Sequence, residues 1–293
     1  MEPIRRYGLN SPAFFLYSAF FADCALLGMI RPTAAPLAAA QPSPTRAAGS
    51  SHPLPMTVLL LSCPIFFFAS LVQGLTGFGG GLVALPLLCL IMDIKLAVPL
   101  SILNGLATTM TMTFGLRRFM DRRRIMPLLV GSLPGVLAGA LLLKMADPVS
   151  INRLLGVLLI AISAINLTIR PRPLNPHIFW GYAAGFFSGA LTASVGAGGP
   201  PAIIYCTVTD WKKDEIKAVL TGFFVLNGIV IAVVHACSGM ITRTTLTIFA
   251  ATLLFAILGT RAGAALSARI NRRMYLRLVY LLLVVLGMMM LAR

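Results

Sequence analysis

Acidic residues are scarce in this sequence, and their scarcity argues against several kinds of active site. Only eight of the 293 residues are Asp or Glu, and all eight lie in loops or in the N-terminal tail. A pair of carboxylates for acid–base chemistry, or a metal cluster, is therefore not expected inside the apolar segments. GFGGG has no strand of a βαβ unit before it, and ASVGAG does not match GxSxG. We predict that the protein is not an enzyme and has no cofactor and no metal.

Two further absences reduce the number of possible folds. The five cysteines form no CxxC pair, and four of them lie in or beside apolar segments, so we interpret them as packing residues. Alternating ten-residue strand patterns are also missing, which favours helices.

Long apolar runs, by contrast, dominate the sequence. Hydrophobic residues make up 58% of it, and its mean hydropathy is +0.90. The runs are roughly 18 to 25 residues long, the length that a helix needs to cross a bilayer core of about 30 Å. We predict an all-α integral membrane protein with about eight hydrophobic segments. From Met56 onward these are approximately residues 56–92 (interrupted), 96–116, 125–145, 151–169, 178–209 (interrupted), 216–237, 244–268 and 274–292.

The first 55 residues differ from the rest. Arg5 and Arg6 precede an apolar stretch from Pro12 to Ile30, and a segment rich in Pro, Ala and Ser follows. This arrangement resembles a signal peptide or signal anchor, with Ala40 as a cleavage site; a natural start at Met56 is the alternative. We divide the sequence into an N-terminal extension, residues 1–55, and two repeats, residues 56–170 and 177–293.

Three pairs of motifs indicate the internal duplication. GFGGG at 77–81 matches GAGGP at 196–200, ILNGLA at 102–107 matches VLNGIV at 225–230, and GVLAGALL at 135–142 matches GTRAGAAL at 259–266. The offsets are 119, 123 and 124 residues. Each repeat therefore begins with a segment that a glycine-rich motif interrupts.

Charge counting bears on the topology. If all eight segments cross once, nine Lys and Arg residues lie on one side and ten on the other, which selects no orientation. If each interrupted segment returns to its own side, as a helical hairpin or two short crossings, the counts become fourteen and five. Each repeat then has an odd number of full crossings, so we predict two inverted four-segment repeats, an architecture of many secondary transporters.

The breaks themselves predict a binding site. Non-helical backbone at membrane depth is tolerated only where protein or a water-filled cavity covers it. Each break would end in a new helix N-terminus, which favours an anion. The alternative is that small residues only let helices pack closely, which we favour for Gly135 with Gly139. The substrate-binding residues predicted at the breaks are Gly77, Gly79, Gly80, Gly81, Gly196, Gly198, Gly199 and Pro200.

Three side chains complete the predicted site. Arg261 lies eight residues before Arg269, about 12 Å along a helix from the loop, and a guanidinium there would bind a sulfonate or carboxylate. Its alternative is to reach back to the interface. Asn104 and Asn227 match between the repeats, and each either lines a permeation path or bonds across helices.

The two glycine-rich stretches also resemble a known family. LVQGLTGFGGGLVALPLL at 71–88 and GFFSGALTASVGAGGPPAIIY at 185–205 are similar to the paired signatures of the TauE/SafE sulfite-exporter family. The resemblance covers residues 56–293 and implies functional roles for Pro86 and Pro201 beside the glycines. It also implies transport of sulfite, organosulfonates or other small anions. Pro200 stands where the first copy has a glycine, so that half departs from the pattern.

We therefore expect a secondary transporter that moves small anions by alternating access, in the inner (plasma) membrane of a bacterium. An anion channel and a non-transport assembly protein are the alternatives. The expected partners are a small anionic substrate and the lipid bilayer. The formal charge of +16 sits in short loops without aromatic residues between the basic ones, so we expect no nucleic acid. A homodimer is one assembly that the sequence allows.

Overall fold

A computed structural model describes residues 56–116, 121–168, 176–267 and 272–292. Apart from Met56, these residues belong to one compact unit, Thr57–Arg293. The predicted signal-like extension and its cleavage site lie outside the described residues. So do the loop residues 117–120, 169–175 and 268–271.

Every regular element in the described part of the chain is an α-helix. In chain order they are α1 (Met56–Thr76), α2 (Gly80–Cys89), α3 (Ile94–Leu116), α4 (Arg122–Met145), α5 (Pro148–Thr168), α6 (Ile178–Val195), α7 (Gly199–Thr207), α8 (Lys213–Cys237), α9 (Arg243–Leu266) and α10 (Arg272–Leu291). Seven of them, α1, α3, α4, α5, α6, α8 and α9, are long and apolar enough to cross a membrane. The prediction of an all-α membrane protein is confirmed.

Glycines bring the helices together along two seams. On α4 and α9 a Cβ would overlap a main-chain oxygen of the facing helix, so only glycine permits these approaches. The α4–α6 seam pairs Gly131, Gly135 and Gly139 with the oxygens of Tyr182, Phe186 and Ala190. The α1–α9 seam pairs Gly259 and Gly263 with the oxygens of Phe67 and Leu71. The packing interpretation of Gly135 and Gly139 is confirmed.

The two seams correspond to each other through the repeat. Gly135 and Gly259 occupy the same place in the matched motifs, and their partners Phe186 and Phe67 are 119 residues apart. That number is also the offset between GFGGG and GAGGP. Each half therefore supplies the glycine helix of one seam and the carbonyl helix of the other.

Polar contacts near the start of α4 join two loops. The guanidinium of Arg124 lies 3.0 Å from the Glu215 carboxylate at the start of α8. It also lies over the Trp211 ring, 4.9 Å from the centroid. Asp121 caps α4 by accepting a hydrogen bond of 2.9 Å from the Arg123 N–H. The start of α4 and the segment between α7 and α8 are thus at the same end of the molecule.

Candidate functional site

The first break separates α1 from α2 at the glycine-rich motif. α1 ends at Thr76, and Gly77 and Gly79 both have φ of 89°, a backbone conformation that favours glycine. The Phe78 N–H donates to the Thr76 hydroxyl at 3.2 Å, which holds the turn locally. A Cβ on Gly80 would overlap the Gln73 side chain, so α2 starts beside the last turn of α1.

The second break lies between α6 and α7. α6 ends at Val195, and Gly196, with φ of 61°, caps it: the Gly196 N–H donates to Thr192 O at 3.0 Å. The Ser188 hydroxyl donates to Gly198 O, ten residues further along the chain. The chain after this break therefore also turns back beside the helix that precedes it.

The two breaks meet. A Cβ on Gly81 would lie 2.5 Å from the carbonyl oxygen of Gly196, which leaves no room for any other residue in this orientation. Beside this contact lies a cavity of about 100 Å³. Its lining residues are Gln73, Phe78, Gly79, Gly80, Gly81, Leu82, Ser101, Ile102, Gly105, Leu106, Thr109, Thr192, Gly196, Gly198, Gly199, Phe224, Asn227 and Gly228.

Corresponding residues of the two repeats line this cavity together. They share the offsets of the sequence motifs, 119 residues at the breaks and 123 on α3 and α8. The corresponding pairs are Gln73 with Thr192, Gly79 with Gly198, Gly80 with Gly199, Ser101 with Phe224, and Gly105 with Gly228. The cavity is thus built by both halves in a nearly symmetric way.

Hydrogen-bond donors, rather than charged side chains, dominate the polar part of this lining. None of the described residues that line the cavity is Asp, Glu, Lys, Arg or His. Helices α2 and α7 begin at Gly80 and Gly199, and the first N–H groups of a helix have no partner within it. The site therefore offers main-chain donors and two positive helix ends, which suit an anion.

The matched asparagines differ in their bonding. The Asn104 amide donates to the Thr252 hydroxyl at 3.1 Å and to Leu100 O at 3.2 Å, and only 1% of the residue is exposed. Asn227 is also 1% exposed, but its Oδ1 has no hydrogen-bond partner. The position on α4 that corresponds to Thr252 is Leu128, which cannot form the equivalent bond.

The structure brings most of the predicted site residues together. Those that line the cavity are Gly79, Gly80, Gly81, Gly196, Gly198, Gly199 and Asn227. Gly77 forms the turn, Pro200 is buried in the first turn of α7, and Asn104 lies behind the cavity at a smaller void of about 10 Å³. Arg261 is exposed on α9 and does not line the cavity. Direct contact of Arg261 with a substrate stays a prediction.

Sequence reasoning missed several of the lining residues. Gly105 and Gly228 lie inside the matched LNG motifs, so the repeat alignment could have identified them. Thr192 could have been found as the counterpart of Gln73. Ser101, whose hydroxyl is buried without a partner, has Phe224 as its counterpart, and no pattern identifies it.

His235 has a supporting role that the sequence does not indicate. It lies near the end of α8, and the structure buries it completely. Its Nε2 lies 3.1 Å from Ala193 O, in the last turn of α6. Carbonyls in the last turn of a helix lack helical partners, so His235 supports the end of α6 just before the second break.

Comparison with known proteins identifies a family. The profile described as "Sulfite exporter TauE/SafE" matches residues 62–290, which include both breaks, both seams and the whole cavity lining. No curated protein and no solved structure matches the chain. The match covers most of the sequence, and the chain belongs to the TauE/SafE family of membrane transporters.

Proposed function

We propose that this protein is a secondary transporter that moves sulfite or small organosulfonates across the cytoplasmic membrane of a bacterium. One observation carries the proposal: two helix N-termini, at Gly80 and Gly199, open onto one cavity between the two breaks. Main-chain donors at helix ends bind anions without a counter-ion. Interrupted helices that meet at one cavity are the arrangement in which many transporters bind their substrates.

An inverted topology fits the contacts. Gly80 beside Gln73, and Gly198 bonded to Ser188, support two helical hairpins rather than two single crossings. With single crossings, the loop before α4 and the loop before α8 would lie on opposite faces of the membrane. The Arg124–Glu215 ion pair joins these loops, which supports the hairpin arrangement with fourteen basic residues on one face.

The exchange of contacts between the halves supports alternating access. Two inverted repeats can each adopt the other's conformation, which opens the same cavity to the opposite side. The seams at Gly135 and Gly259 join the two halves in equivalent ways and so permit such an exchange. We propose that the hairpins move relative to α3 and α8, while the cavity keeps the substrate between them.

The proposal is tested by flux into proteoliposomes that contain the purified protein. We expect uptake of labelled sulfite or of a labelled organosulfonate to saturate, and unlabelled substrate inside the vesicles to accelerate it. Flux that neither saturates nor responds to internal substrate would indicate a channel. The absence of flux for every tested anion would contradict transport and favour an assembly role. Mass photometry of the same preparation tests whether the protein is a homodimer.

A further inference from the structure

We infer that the cavity selects singly charged oxyanions, so that sulfite is carried as hydrogensulfite and doubly charged anions of the same size are rejected. This inference rests on the proposed function and specifies its substrate class. It comes from the charge that the cavity can compensate, from the two polar side chains left without partners there, and from the cavity's size.

The lining supplies little positive charge. The described side chains of the lining are all neutral. Arg261, which lies near the end of α9, is exposed and does not line the cavity. Gly259 and Gly263 of the same helix are buried against α1, so Arg261 is on a different face of α9. A bound anion is therefore compensated by dipoles alone.

The two helix ends set the size of that compensation. A helix N-terminus acts as roughly half an elementary charge, so α2 and α7 together offer at most about one. One negative charge is balanced by this pair, and a second charge is not. Because the desolvation cost of an ion grows with the square of its charge, a dianion would lose far more hydration energy here than the site returns.

Helix α7 also carries fewer donors than α2. Pro200 and Pro201 have no N–H, so Gly199 is the only one of its first three residues with a donor, whereas all three first residues of α2 have one. The oxygens of an anion are thus held mainly from the α2 side.

Two buried side chains indicate that a polar ligand completes the site. Asn227 and Ser101 line the cavity, are 1% and 6% exposed, and have a side-chain oxygen without a hydrogen-bond partner. An unpartnered buried polar group costs about 1–3 kcal/mol, which a ligand or water in the cavity can offset. Hydrogensulfite carries a proton and can donate a hydrogen bond, whereas the sulfite dianion only accepts.

The cavity also has the right size. Its volume of about 100 Å³ accommodates a sulfur atom with its oxygens and one further small group. Methanesulfonate and sulfate are both tetrahedral and similar in volume, and they carry one and two charges respectively. This pair separates selection by charge from selection by size.

The test uses wild-type protein in proteoliposomes, with labelled sulfite at a fixed total concentration. Above the pKa of hydrogensulfite its concentration falls about tenfold for each pH unit, and we expect initial uptake to fall in the same way. The inhibition constant of methanesulfonate should be the same across this pH range, and sulfate should not inhibit.

Uptake that stays constant or rises with pH, or inhibition by sulfate as strong as that by methanesulfonate, would overturn the inference. In either case sulfite transport itself would stand, since only the loss of all uptake contradicts the proposed function.

A variant adds a check that does not depend on the chemistry of sulfite. Asn227→Asp changes almost none of the volume of the lining and adds a negative charge when its carboxyl is ionised. In a titration from pH 5 to pH 10, we expect the methanesulfonate concentration for half-inhibition, or for half of the thermal shift if uptake is lost, to rise at least tenfold in the variant and to stay constant in the wild type. A concentration that stays unchanged over the whole pH range, in a variant that melts like the wild type, would contradict compensation by dipoles alone.

Discussion

The two halves of the molecule share a scaffold and the glycines of the cavity lining, but not the side chains of that lining. At one seam Gly135 of the first half contacts Phe186 O of the second half. At the other seam Gly259 of the second half contacts Phe67 O of the first half. At the cavity the counterparts differ: Gln73 corresponds to Thr192, and Ser101 to Phe224. Contacts that fix the distance between helices admit only glycine, whereas residues that face a cavity are free to change. The two halves are thus alike at the seams and at the glycines of the lining, and they differ in the side chains that face the cavity.

The means of holding each break differ as well. The first break is held within its own turn, by Thr76 and Phe78. The second depends on remote groups, the Ser188 hydroxyl and the His235 ring. The two turns also differ in backbone, with φ of 89° at Gly79 and −81° at its counterpart Gly198, and they are held by unrelated side chains. We expect substitutions of residues that hold the second break to act over longer distances.

The largest effect is expected at the seams. In Gly135→Ala and in Gly259→Ala the new methyl group would overlap a carbonyl oxygen that belongs to a facing helix and cannot rotate away. Overpacking of this kind costs about 1–3 kcal/mol, so both variants should melt well below the wild type in detergent. Gly105→Ala is the matched control, because a Cβ there meets no atom within 4 Å. A fall in melting temperature for only one of the two seam variants would show that the two seams are not equivalent.

The next effect concerns transport rather than stability. Gly81→Ala would push the first break away from Gly196 O, and we expect it to reduce uptake at least tenfold. Gly199→Ala is the comparison at the other break: the nearest atom to its Cβ is Ile203 Cδ1 at 3.5 Å, so it adds a methyl group beside the cavity without pushing the breaks apart. Uptake is measured per folded molecule for both variants. A wild-type rate for Gly81→Ala would mean that contact between the breaks is not required for transport.

The two asparagines should respond in opposite ways. Asn104→Leu removes the hydrogen bond that joins α3 to α9, while the Thr252 hydroxyl keeps its bond to Ile248 O, so it should destabilise the protein by about 0.5–1.5 kcal/mol. Asn227→Leu removes an unpartnered oxygen and should leave the melting temperature unchanged or higher, while substrate affinity falls. Melting curves and half-saturation concentrations of both variants check this pair. Equal destabilisation would show that Asn227 has a partner after all.

The smallest effect is expected at Arg261. The sequence predicts that it binds the substrate, yet its exposed position leads us to expect that Arg261→Gln changes the half-saturation concentration by less than about twofold. Leu137, its counterpart in the first repeat, supplies the control Leu137→Gln. A large rise in the half-saturation concentration for Arg261→Gln alone would bring this residue back into the site.

Much of this fold could be predicted from composition and motif spacing. Apolar runs of membrane length predicted the helices, because a single segment in lipid can form all its backbone hydrogen bonds only as a helix. The glycine motifs predicted where two helices end, and the structure ends them at Thr76 and Val195. The cavity glycines followed from the same motifs. In each case the prediction depended on residues that are neighbours in the sequence.

The remainder depends on contacts between distant residues. Nothing in the sequence near Asn104 indicates that Thr252, 148 residues away, accepts its bond. The burial of His235 likewise depends on Ala193, which α6 brings to it. The face that Arg261 occupies is set by which side of α9 packs on α1, and composition does not specify that side. Such pairings arise only from the packing of whole helices.

The anion is proposed to bind between the two breaks. A crystal structure with bound selenite, the selenium counterpart of sulfite, would locate the anion through anomalous scattering. We expect a selenium peak in the cavity, within hydrogen-bonding distance of the main-chain N–H groups of Gly80 and Gly199. A peak beside Arg261, with none in the cavity, would contradict it.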